Sequence, residues 1–138
     1  MTRSLILFVC IAFLVSCNSN EGETKEELIV YKPSEMALLM RQMYAYNKAI
    51  RTTVIEKDSL VALPDHFLKI HHAKLTDPED RDARFELLSK KYLQMQQSIQ
   101  KDSDSAKFFY NSTINSCISC HELKCQGPIP KIRRLLIQ

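Results

Sequence analysis

The stretch from Asp77 to Lys101, DPEDRDARFELLSKKYLQMQQSIQK, decides the fold class. Asp77 is of a type that caps helix N-termini, and Pro78 suits a first turn. Phe85, Leu88, Tyr92, Met95 and Ile99 then recur at steps of three and four. That spacing predicts an amphipathic helix ending near Lys101, because a half-buried strand would alternate with a period of two. Upstream, Ser34 stands between Pro33 and Glu35 as an N-cap does. Met36, Leu39, Met40, Met43, Ile50 and Val54 give one apolar face to a helix reaching about Lys57. A shorter second helix is expected from Asp65 to Lys74, with Phe67, Ile70, His71 and Leu75 towards the core. Downstream, a last helix starts around Asp102 or Ser103. It carries Ala106, Phe109, Tyr110, Thr113, Cys117, Cys120 and His121 on one face and stops before Gly127, Pro128 and Pro130. Lys131 to Gln138 reads as a short basic and apolar tail. Short connections make successive helices antiparallel neighbours, so the expected fold is all-α, a four-helix antiparallel bundle with the cysteines on its last helix.

Composition agrees with that reading. The chain has 138 residues, 45% hydrophobic and 25% charged, which is one globular domain's worth. Two glycines and no tryptophan leave too little turn chemistry for a many-stranded sandwich, and no Gly-rich loop is present to cradle a nucleotide phosphate. The 19 basic and 16 acidic residues are interleaved, so no electrostatic footprint for nucleic acid stands out. No general acid, nucleophile with its base or carboxylate pair at useful spacing argues for a hydrolase, and the chain is expected to be a carrier or binding protein, not an enzyme.

The N-terminus reads as an address. Arg3 precedes an apolar run from Leu5 to Val15, too short to span a bilayer but right for a secretory signal over residues 1–16. Leu14-Val15-Ser16-Cys17 resembles the lipobox of bacterial lipoproteins, which implies acylation of Cys17 and removal of everything before it. Residues 17–33, polar and acidic, then form a flexible tether to a domain spanning 34–138. The expected location is outside the cytoplasm, on a bacterial membrane and facing the periplasm.

With Cys17 lipidated, Cys117, Cys120 and Cys125 remain to act. Cys117-Ile118-Ser119-Cys120-His121 is the Cys-x-x-Cys-His arrangement of covalent c-type haem attachment. Cysteines three apart share a helix face, so both sulfurs can add to the vinyl groups of one porphyrin edge, and the next residue, His121, offers its imidazole to iron. Haem attachment follows export, and this chain carries an export signal. Other readings of the cysteines are a zinc site from Cys117, Cys120, His121 and Cys125, a thioredoxin-like redox pair, and a plain disulfide.

A helical bundle with this motif on its last helix resembles the class II cytochromes c, over roughly Ser34 to Cys125. In the low-spin branch of that family a first-helix methionine followed by a basic residue is the sixth iron ligand. Leu39-Met40-Arg41 is similar to that element, which makes Met40 the implied ligand, with Met43 and Met36 as alternatives on the same face. Arg41 and Gln42 are then placed for a haem propionate. Methionine is also a common core filler, and His66, His71 and His72 offer bis-histidine ligation instead. Two filled axial positions imply outer-sphere electron transfer with a redox partner protein. An open distal face implies binding of nitric oxide or carbon monoxide. A third reading is a haem-free anchored helical interaction module. The sequence leaves open a second copy of the chain as partner, and a role for Lys131, Arg133 and Arg134 at propionates or an acidic partner.

Overall fold

In the computed structural model, which describes residues 31–101 and 104–138, every regular element among the described residues is helical. The leader, Cys17, the tether up to residue 30, and the expected helix start at residues 102–103 lie outside the described residues. Residues 32–138 form one unit with its own core.

Helix α1 spans Glu35–Glu56. The Ser34 hydroxyl accepts from the Ala37 amide at 3.1 Å, and Lys57, in a left-handed conformation with φ 55°, returns its amide to the Thr53 carbonyl. Met36, Leu39, Met43, Ile50 and Val54 are buried as the spacing predicts, while Met40 is half-buried at the edge of the stripe. Asn47, a polar residue, occupies a stripe position and is 2% exposed.

The second helix departs from expectation. Asp65–His71 is a 3₁₀ helix, whose three-residue repeat stacks Phe67 above Ile70 and buries both. Its last carbonyls are collected by Arg81, which donates to Ile70 and His71 through Nη1 at 3.3 and 2.7 Å and to Ala73 through Nη2 at 2.6 Å. His71 is half-buried rather than in the core, with Nδ1 at 2.7 Å from Glu86 Oε2.

Arg81 also explains why the next helix starts later than expected. Asp77 caps only a 3₁₀ turn, Pro78–Asp80. A helix continued through residue 81 would carry its guanidinium away from those carbonyls, so the chain breaks there and restarts. Helix α2 is Ala83–Ile99, capped by Asp82, which accepts from the Phe85 amide at 2.7 Å. Phe85, Ser89, Tyr92, Leu93, Gln96 and Ile99 are buried, and Leu88 and Met95 only partly so.

Helix α3 is Ala106–Lys124. It packs on α2 more extensively than any other pair of elements, and Lys124 reaches Asp82 at 2.7 Å, so the two run in opposite directions with the end of α3 beside the start of α2. A short helix α4, Ile129–Arg133, stands where a tail was expected. Ile132, Leu135 and Ile137 are buried in the core with Ile50, Val54, Tyr110 and Ile114. Arg51 donates to the carbonyls of Leu135 and Leu136, and the Asn111 amide pairs with both the N–H and the C=O of Ile137. The C-terminus is thus part of the packed domain. A second apolar cluster joins Met36, Leu39 and Met43 of α1 to Phe67, Ile70, Phe85 and Tyr92.

Candidate functional site

Helical geometry puts Cys117 and Cys120 on the face of α3 that looks into the molecule. Both pack against the second apolar cluster, and Met40 packs against that same cluster from α1. Cys117 also touches the first cluster, so it sits at the junction of the two. Burial pushes the Cys117 thiol up to about 12, with the neighbouring Cys120 adding to the effect, and burial likewise raises Cys120. Both are therefore neutral thiols at physiological pH. All three cysteines of the domain are free, and Cys125 is exposed.

His121 is oriented by the way α3 ends. Cys125 leaves the helix in an extended conformation, φ −159° and ψ 87°, and its amide donates to the His121 carbonyl at 2.9 Å. Its own carbonyl turns back to His121 Nδ1, also at 2.9 Å. A carbonyl only accepts, so Nδ1 carries a proton, and in the neutral imidazole Nε2 keeps its lone pair. A carbonyl partner of this kind selects one tautomer of an imidazole. The contribution of Cys125 is made by its backbone. Lys124, one residue earlier, holds the end of α3 through Asp82 and Asp80, and its hydrogen bond keeps the Asp82 carboxyl below the usual range.

Behind the cysteines lies a polar patch that counting apolar residues does not find. Asn47 Nδ2 donates to the Met43 carbonyl at 2.8 Å and to the Tyr92 hydroxyl at 3.3 Å, and the Tyr110 hydroxyl donates to the Asn47 carbonyl at 3.0 Å. Burial raises both tyrosines above their ordinary range, Tyr92 with a further contribution from Cys117. Asn47 Oδ1 and Ser89 Oγ are buried without a hydrogen-bond partner among the described residues. The Gln96 amide approaches the Tyr46 hydroxyl without closing a well-formed bond.

The remaining sequence candidates are dispersed. Met36 and Met43 are core residues of the second cluster. Arg41 and Gln42 are exposed on α1. His66 and His72 are exposed, and His71 is engaged with Glu86. A groove of about 390 Å³, lined by Asn115, Ile118, Ser119, Glu122, Arg133 and Leu136, lies on the side of α3 opposite the cysteines. Among the described residues, no three His, Cys, Asp or Glu side chains gather as a protein-only metal site requires, and no helix is long and apolar enough to cross a membrane. Comparison with models of protein families, with curated proteins and with solved structures finds no match to this chain.

The donor set is compatible with a covalently held haem. Two neutral thiols one helical turn apart, a following imidazole with a free Nε2, and an apolar wall ending in a thioether meet its requirements. The buried hydroxyl of Ser89 and amide oxygen of Asn47 have no hydrogen-bond partner among the described residues.

Proposed function

We propose that this chain is a lipid-anchored mono-haem c-type cytochrome, an electron carrier rather than an enzyme. In this reading its helices form an antiparallel bundle similar to that of the class II cytochromes c, and it works outside the cytoplasm beside a redox partner protein. The observation that carries the reading is the hydrogen bond from His121 Nδ1 to the Cys125 carbonyl, immediately beside two thiols that face the same apolar cluster as Met40. The motif's placement supports the reading: both thiols face the apolar cluster, and the imidazole is held at Nδ1, leaving Nε2 of its neutral form available.

When bound, haem supplies a one-electron iron couple. Cys117 and Cys120 would hold it to α3, and His121 Nε2 would be the proximal ligand. Met40 would be the second ligand, a thioether that would raise the potential relative to a nitrogen donor. Leu39, Met43, Phe85 and Tyr92 belong to the buried apolar cluster against which Met40 and both cysteines pack. A haem held by residues of a packed apolar cluster would leave little to rearrange when its charge changes, which suits outer-sphere transfer.

The ligand assignment is tested on protein from cells able to mature c-type haem. Met40→Ala should abolish the methionine-sulfur charge-transfer band of the ferric form, and Met43→Ala should keep it. Carbon monoxide binding by the untreated ferrous wild type would favour the open-faced, gas-binding reading instead.

A further inference from the structure

Along α1, Leu38, Arg41, Ala45, Lys48, Thr52 and Ile55 follow one another at steps of three and four, and all are exposed. Leu38 and Ile55 are large aliphatics left 46% and 49% open. Helix α4 adds to the same side. Lys131 Nζ stands 4.4 Å over the Tyr44 ring, and Arg51 grips the carbonyls of Leu135 and Leu136. Lys48 lies between Tyr44 and Arg51 on α1, so Arg134, between Lys131 and Leu135, runs alongside it. Arg41, Lys48, Lys131 and Arg134 therefore share one surface, and none forms an ion pair among the described residues. The carboxylates of α1 stand at its two ends, and Glu35 accepts from the Lys74 amide at 2.9 Å.

We propose that this α1–α4 surface lies against an anionic lipid bilayer. Cations meet lipid phosphates while Leu38 and Ile55 enter the boundary between headgroups and acyl chains. An acidic protein would match the cations as well; the anchor proposed at Cys17 is what favours the bilayer. The proposal rests on anchoring at Cys17 for its place beside a membrane: α1 begins at Glu35, 18 residues after Cys17. The surface also borders Met40, so bilayer contact would set how the candidate redox site is presented.

The test uses the chain from residue 18 onward, made without leader or lipid, and vesicles of phosphatidylcholine with or without one-third phosphatidylglycerol. The expected result is sedimentation with the anionic vesicles only, weakening as salt shortens the screening length from about 8 Å to about 3 Å. Lys131→Glu with Arg134→Glu should lower partitioning at least about 25-fold, roughly fivefold for each cation. Lys90→Glu with Lys91→Glu, on the exposed side of α2, should partition far closer to wild type. Circular dichroism checks that each variant is folded. Equal loss in both double variants would reduce the effect to net charge and overturn the proposal. Failure to bind either vesicle would overturn it too, leaving an acidic protein as the occupant. Acylation of Cys17 is read separately, by mass, and haem by colour, so each can fail without the other.

Discussion

Replacing Ser89 by alanine should make the chain more stable when it is produced without haem maturation. Ser89 is 2% exposed, and its hydroxyl has no hydrogen-bond partner among the described residues. An unsatisfied buried hydroxyl costs about 1–3 kcal/mol, which its removal recovers. Alanine in the interior of α2 adds about half a kcal/mol of helix propensity. Against these stands only the loss of one oxygen's packing contacts, so the net is about 2 kcal/mol. For a unit of this size that corresponds to a rise in melting temperature of about 10 °C. Thr113→Val is the matched control, because the Thr113 hydroxyl does have a partner, the Phe109 carbonyl at 2.9 Å. Its loss should lower stability by about 1 kcal/mol. Thermal unfolding followed by circular dichroism measures both. A lower melting temperature for Ser89→Ala would refute the reasoning, since it would mean the hydroxyl is satisfied, for instance by a trapped water.

Two further outcomes are expected. The His71 hydrogen bond holds the Glu86 carboxyl below its usual 4.5, so the folded state favours the ionised form. That contribution is present above pH 4.5 and is lost as pH falls through the lower folded-state value. Glu86→Gln should accordingly show a shallower loss of stability in acid, by urea titrations across that range. In the folded chain without haem, Ellman's reagent at neutral pH should modify exposed Cys125 first and Cys117, with its thiol at about 12, last. After haem maturation, Cys117 and Cys120 should resist the reagent even in denaturant, because a thioether has no thiol to react. Rapid reaction of both under those conditions would count against capture.

How much of this was legible in the sequence follows from the range of each interaction. Ser34, the apolar stripe of α1 and the Gly127–Pro128 stop after α3 act within a few residues, and the elements begin and end close to where those signals stand. The start of α2 is different. Asp77 and Asp82 are both sound caps, and the choice between them is made by Arg81 reaching the carbonyls at residues 70, 71 and 73. The C-terminal segment reads as a basic tail because its partners, Arg51 and Asn111, lie far away in the chain. Asn47, Ser89 and Gln96 escape notice because polar residues in a helical stripe look like solvent-facing positions until their neighbours are known. At the site, the cysteine spacing and His121 are visible from the string alone. The return of the Cys125 carbonyl to the imidazole is not, since it depends on the extended conformation that ends α3.

The central claim is most directly tested by the intact mass and pyridine haemochrome spectrum of the purified protein, expressed in cells with a working c-type haem maturation apparatus. The account predicts one haem per chain, still attached after acid denaturation, and missing from a Cys117→Ala, Cys120→Ala double variant. A colourless protein of unmodified mass from those cells would contradict it.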